Sequence, residues 1–195
     1  MAHLNKKTLL KILICMKRIF ILATALVITV SNLQAQKIYS TKTGKVSFFS
    51  NAPLEDIEAK NNEVESKLAA ANGQVVFTLL IKGFKFENEL MEEHFNENYL
   101  ESNKFPKSDF KGFITNIKDI NFSKDGVYPA KVKGNLTIHG ITKPVESNGT
   151  VEVKNGQVVA KSKFNVSLKD YGIGGSMIGK KIANNIAITI DCKYE

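Results

Sequence analysis

Side chains able to do acid–base, nucleophilic or metal chemistry are few. Beyond residue 35 the chain holds two His, His94 and His139, one Cys, Cys192, and no Arg or Trp. A zinc site would need both His to converge with carboxylates such as Glu93 or Glu97, which share one helical face at a spacing of four. No compact metal-ligand spacing accompanies them, so a solvated, charged helix face accounts better for the glutamates, and no metal is expected. Cys192 continues the apolar row of the last strand-like segment, where a thiol acts as a small buried hydrophobe and not as a nucleophile. The stretch GIGGSMIGKK, Gly172 to Lys181, is rich in Gly and Lys but lacks the full order of a phosphate-binding loop, and a loop joining two strands explains it more simply. Without Arg there is no planar fork for a phosphate or carboxylate clamp. No catalytic residue and no cofactor is expected; the enzyme alternative would have to use His94 or His139 with a helix carboxylate.

Charge narrows the partners. The net charge is +8, but Lys6, Lys7, Lys11, Lys17 and Arg18 lie in the first 35 residues, which hold no acidic residue. Without that segment 22 basic residues face 19 acidic ones, a net +3, so a nucleic-acid partner is not expected. From Met16 the chain reads MKRIFILATALVITVSNLQAQ: a basic start, an apolar run from Ile19 to Val30, then polar residues and a small one at Ala35. This is the pattern of a secretory signal peptide, too short in its apolar part for the roughly 20 residues of a spanning helix. Residues 1–35 are therefore read as a signal starting at Met16 and cleaved near Ala35. Residues 36–195 are read as one periplasmic or secreted domain without a stable membrane span. Cys192 is the only thiol left in that domain, so an internal disulfide cannot staple it and core burial must hold it. Four Asn-x-Ser/Thr triplets, at Asn121, Asn135, Asn148 and Asn165, fit chance in an Asn-rich chain.

The elements that must position these residues are strands. Val132, Gly134, Leu136 and Ile138 alternate with Lys131, Lys133, Asn135, Thr137 and His139. A second row, Val158 to Leu168, and a third, Ile182 to Cys192, repeat the design. One dry and one wet face is the mark of an antiparallel sheet. Asn72-Gly73, Asp125-Gly126, Asn148-Gly149 and Asn155-Gly156 are dipeptides of tight turns and predict a meander. The fold class is all-β. About eight strands with few helices to cover them favour an up-and-down antiparallel barrel, since closure buries the dry face and removes the edges; a two-sheet sandwich is the alternative. One helix is predicted within Glu87 to Ser102, where Met91, Phe95 and Tyr99 recur every four residues beside Leu90 and His94, with Pro106 helping to end it.

Small residues at inward positions, Gly112, Gly134, Ala160 and Ser162, face large ones. They can interlock into a filled core or leave a cavity, and composition is even between the two.

The order LMEEHFNENYLESNKFPKSDFKG (Leu90 to Gly112), GNLTIHGITKPVE (Gly134 to Glu146) and FNVSLKDYGI (Phe164 to Ile173) resembles the YceI family of exported lipid-binding proteins. The resemblance spans roughly residues 37–195, and its most specific element is Gly134 to Lys143. It implies an extended, lipocalin-like barrel whose tunnel binds a long-chain apolar lipid of polyisoprenoid or fatty-acyl type, with no reaction attached. The family often carries Arg in its helical segment and last motif, where this chain has Asn96 to Leu100 and Lys169. On this reading the lipid-binding residues are Phe77, Leu79, Phe110, Ile114, Leu136, Ile138, Phe164, Val166, Ile186 and Ile188. A homodimer is the assembly left open, and a filled barrel that recognises a partner through its loops is the non-carrier alternative. In the motif, Gly140 allows a tight turn, Pro144 breaks the chain near the next strand, and His139 anchors the loop by hydrogen bonding.

Overall fold

In the computed structural model, which describes residues 37–195, the alternating segments form strands β1 (Ile38–Asn51), β2 (Asp56–Ala69), β3 (Gln74–Leu80), β4 (Lys85–Phe86), β5 (Lys107–Ile114), β6 (Gly126–Ile138), β7 (Ile141–Lys154), β8 (Gln157–Ser167) and β9 (Asn185–Tyr194). Eight long strands pair antiparallel in the order β1-β9-β8-β7-β6-β5-β3-β2, and β2 pairs back onto β1, so the sheet closes on itself as an up-and-down barrel. β4 is a two-residue addition to β2. Closure resolves the choice between barrel and sandwich, because every long strand has two neighbours.

The helical segment is shorter and wider than its four-residue spacing suggests. Helix α1 covers Glu89–His94, capped by the Asn88 side chain, which accepts from the Leu90 and Met91 amides. The chain then widens into a π-helical turn, Phe95–Tyr99, with the Leu100 amide donating to the Phe95 carbonyl. This looser turn keeps Phe95 on the barrel side and lets Leu100 become buried. Leu90, placed beside the stripe, is exposed instead, and Pro106 lies well beyond the helix end.

Three turn readings also change. Asn148-Gly149 is no hairpin: both residues lie inside β7, opposite Lys131 and Ala130. A side chain at Gly149 would collide with the Lys161 carbonyl oxygen, so the glycine serves close strand packing. Asp125-Gly126 ends a longer loop, with Gly126 already paired in β6. Pro144 does not break the chain; it sits in β7 opposite Asn135. Positive φ falls at three hairpins: Gly73 (75°) between β2 and β3, Asn155-Gly156 (51° and 78°) and His139-Gly140 (51° and 74°). Likewise β9 starts at Asn185, leaving Ile182 in the preceding loop, bridged to Ile178.

Turns at residues 70–73, 115–125 and 155–156 gather at one end of the barrel, with the start of β1 and the end of β9. That end is plugged by Tyr39, Leu68, Val75, Ile114, Val151 and Tyr194, all buried. Tyr39 stacks on Phe122 at 5.4 Å, and the buried Tyr194 hydroxyl meets Ser66 Oγ at 2.9 Å. The other end carries the β1–β2 turn, the segment 81–106 with α1, the His139-Gly140 turn and the segment 168–184.

Candidate functional site: an apolar cavity inside the barrel

Between the plugged end and the helical end lies a cavity of about 610 Å³, a size typical of small-molecule sites. Its wall follows from strand alternation: residues of one parity on each strand point inward. All ten residues named from the sequence line it: Phe77 and Leu79 from β3, Phe110 and Ile114 from β5, Leu136 and Ile138 from β6, Phe164 and Val166 from β8, Ile186 and Ile188 from β9.

The small inward residues divide into two groups. Gly112 and Gly134 face each other across β5 and β6, and Phe110 lies over both: a Cβ on Gly134 would come within 2.6 Å of the Phe110 ring. They seat an aromatic ring and line no empty space. Ala160, Ser162, Ser147 and Gly149 do line the cavity, on β8 and β7. Thus the interior is partly interlocked and partly hollow.

Sequence reasoning missed two parts of the wall. β1 and β2 contribute Val46, Phe48, Ile57 and Leu68. On β1 the pair Phe48-Phe49 hides which ring is inside, and on β2 the buried row is interrupted by Asn61 and Ser66. Asn61 is satisfied there, donating to the Leu80 carbonyl (2.9 Å) and accepting from the Glu63 amide (2.9 Å). The second part is the Gly-rich loop, which places Ile173, Met177 and Ile182 over the mouth beside Met91, His94, Phe95 and Tyr99, the helical stripe that the four-residue spacing marks. Phe95 is fixed by Phe48 (5.4 Å), Phe84 (5.7 Å) and Phe86 (5.0 Å). The apolar residues inside GIGGSMIGKKI were the available signal for the loop's part in the cover.

Charged residues in the lining are few: Glu55, Asp109, Lys161 and Lys181. Glu55 and Lys181 approach within 3.8 Å at the mouth. His139 lies off the cavity lining, largely buried, with Nδ1 3.2 Å from the Tyr171 carbonyl oxygen, Nε2 2.7 Å from Glu101 Oε2 and Phe105 edge-on at 4.6 Å. The Tyr171 carbonyl can only accept, so that contact uses the ring's Nδ1–H. The residue ties the β6–β7 turn to both covering segments, as a loop anchor would. Its carboxylate partner is Glu101, not Glu93 or Glu97. Among the described residues no group of three or more His, Cys, Asp or Glu is placed to hold a metal. Cys192 is buried against Gly44, and burial pushes its thiol up to about 12. Burial likewise raises the hydroxyls of Tyr171 and Tyr194.

A model of the YceI-like domain matches residues 30–194. The chain belongs to the YceI-like family. Among solved structures, this YceI-like barrel is similar to a polyisoprenoid binding domain from Saccharophagus degradans implicated in plant cell wall breakdown, at 9% identity over 81% of this chain and 97% of that one, with a TM-score of 0.71. It is similar also to BcnA of Burkholderia cenocepacia, at 15% identity over 78% and 96% of the two chains and a TM-score of 0.65. The YceI protein of Campylobacter jejuni, which crystallizes with large solvent channels, matches at 15% identity over 85% and 89%, with a TM-score of 0.51. At these identities the likeness is one of fold. No curated protein matches this sequence significantly. The signal-peptide reading falls on residues outside those described, and no described helix is long and apolar enough to cross a membrane.

Proposed function

We propose that this YceI-like protein is an exported, non-catalytic carrier that holds one long apolar lipid, of isoprenoid or fatty-acyl type, inside its barrel. The observation that carries the reading is the hollow itself: a cavity of about 610 Å³ with an almost wholly apolar wall, plugged at one end and covered at the other. Moving a methylene from water into such a space contributes about 0.8 kcal/mol. A dozen methylenes give roughly 10 kcal/mol before ordering and association costs of roughly 4–15 kcal/mol. Retention therefore demands that nearly the whole chain be inside, which a cavity reaching from rim to plug permits. The Saccharophagus degradans relative, described as polyisoprenoid binding, supports the same ligand class. Export rests on the pattern from Met16 to Ala35. The His139–Glu101 pair lies outside the cavity lining, which supports a binder, and leaves His94 as the one His in the wall among the described residues.

Native mass spectrometry of protein purified without detergent tests the reading. A lipid mass on the folded chain, lost after organic extraction and regained with a fatty acid or polyprenol, is expected. A chain that carries no adduct and takes up neither probe would refute it. Retention of the probe, chemically unchanged, by wild type and by His94→Ala/His139→Ala protein separates a carrier from an enzyme.

A further inference from the structure

The barrel is closed, but one of its ladders is incomplete. β7 pairs with β6 along its whole length, to Ile141 opposite Ile138, and β8 pairs with β9 to Ser167 opposite Asn185. Between β7 and β8, however, pairing stops at Gly149 and Ser162. Above that point Ile141–Asn148 and Lys163–Ser167 are facing strand edges with no ladder between them among the described residues. Such a seam exposes backbone donors and acceptors, which sheets usually blunt, and Pro144, which has no N–H, lies on the β7 edge. The seam is bounded below by a short Ser147–Ser162 hydroxyl contact and by Ser162 Oγ donating to the Asn148 carbonyl (3.0 Å). Above, it is bounded by the contact of His139 with the Tyr171 carbonyl.

Just above the lower boundary the wall is thin. Val132, Ser147 and Phe164 line the apolar cavity, and the same three residues line a separate outer recess of about 350 Å³. That recess is rimmed by Lys131, Lys133, Lys163, Glu146 and Asn148. Lys133 pairs with Glu146 at 2.8 Å, while Lys131 and Lys163 form no ion pair among the described residues. The helical cover has the opposite sign: residues 87–101 contain six Glu and no Lys.

We infer that the β7–β8 seam, and not the helical mouth, is the passage by which the lipid chain is exchanged, and that its lysine-rimmed recess docks on an anionic bilayer. The inference rests on the carrier reading above. Charge complementarity commits the docking partner: a negatively charged membrane surface attracts the recess, with Lys131 and Lys163 unpaired among the described residues, and repels the six-glutamate helical segment. Once docked, widening the seam at Ser147 and Phe164 opens the cavity directly toward the bilayer, so the chain need not cross water. That widening must part the Ser147–Ser162 contact, which makes this contact the gate.

The test is transfer of a fluorescent polyene fatty acid from loaded protein to vesicles, either of phosphatidylcholine alone or mixed with phosphatidylglycerol. Replacing Lys131 and Lys163 with Gln is expected to slow transfer to the phosphatidylglycerol vesicles about 30-fold, since each lysine near such a surface contributes roughly a five-fold factor, and to leave transfer to phosphatidylcholine unchanged. The double variant Ser147→Cys/Ser162→Cys places two thiols where the hydroxyls touch. Its oxidised form is expected to transfer at least ten-fold more slowly than its reduced form. Should the disulfide not form, Phe164→Ala is expected to speed transfer by thinning the same wall. Equal rates for oxidised and reduced protein, or unchanged transfer by Phe164→Ala, would overturn the seam as passage. Wild-type transfer that is no faster to phosphatidylglycerol vesicles than to phosphatidylcholine, or a lysine variant as fast as wild type on phosphatidylglycerol vesicles, would overturn the docking. If the wild type takes up no polyene acid at all, the carrier reading itself fails, an outcome distinct from both.

Discussion

The clasp at His139 makes a sharp prediction because two of its costs can be separated. Its backbone sits at φ 51°, in the left-handed region, while its ring makes three contacts. Asn tolerates that backbone and suits a hairpin of this kind, so His139→Asn removes the contacts and keeps the turn. The bond to the Tyr171 carbonyl is worth about 1 kcal/mol, and the one to Glu101, whose carboxylate is half-exposed, about 1 kcal/mol after solvent screening. The edge-on Phe105 ring adds roughly 0.5–1 kcal/mol. His139→Asn should therefore cost about 2–3 kcal/mol. His139→Ala should cost about 1 kcal/mol more, the penalty of an ordinary side chain in that region. Urea unfolding followed by tyrosine fluorescence reads both: with a slope near 2 kcal/mol per molar, the midpoint falls by about 1 M for Asn and further for Ala. Glu101→Gln should account for about 1 kcal/mol of the Asn effect and add little on top of it. A midpoint for His139→Asn equal to wild type, or equal costs for Asn and Ala, would refute the reasoning.

Gly134→Ala forces a Cβ to within 2.5 Å of the Lys111 carbonyl oxygen and 2.6 Å of the Phe110 ring; overpacking of about 1–3 kcal/mol should lower the thermal midpoint by several degrees. Ala160→Phe fills part of the cavity and should abolish the lipid adduct in a native mass spectrum while circular dichroism still reports a folded sheet. Ser66→Ala strands the buried Tyr194 hydroxyl and should cost about 1–3 kcal/mol, more than Ser66→Ala combined with Tyr194→Phe, in chemical denaturation. Cys192 holds its proton far more tightly when folded, with its thiol pushed up to about 12 from 9.0, so it favours the fold below pH 9 and loses that contribution as pH climbs toward 12. Unfolding free energies measured from pH 8 to 11 should decline for wild type and less steeply for Cys192→Ala, whose remaining slope at the top of the range comes from the raised Tyr171 and Tyr194 hydroxyls.

Strand existence and facing were legible wherever the inward row stays apolar. β6, β8 and β9 alternate cleanly, and the ten wall residues chosen from β3, β5, β6, β8 and β9 all line the cavity. β2 was opaque because its inward positions include Asn61 and Ser66, polar groups that only their partners Leu80, Glu63 and Tyr194 make tolerable. Those partners are remote in sequence or hidden behind a bulge. The turn chemistry of Asn148-Gly149 misled for a related reason: the dipeptide permits a hairpin, but the neighbouring Lys161 backbone is what requires the glycine. The loop's share of the cover escaped because Ile173, Met177 and Ile182 sit in an irregular segment with no period to read, whereas the Met91, Phe95 and Tyr99 stripe was legible from its spacing. The hollow, finally, depends on where Phe110 lies. Two facing glycines suggest space until the ring is seen resting on them.

One strand shuts the ring across most of the barrel's sequence: β9 bonds to β1 through Lys45–Phe49, residues some 140 positions earlier. Loop closure over that distance is slow, and half-built rings present a sticky interior with two raw margins. A chain leaving the ribosome therefore stays unfinished until β9 has emerged. Loss of that one strand would leave an aggregating species in place of a weaker barrel.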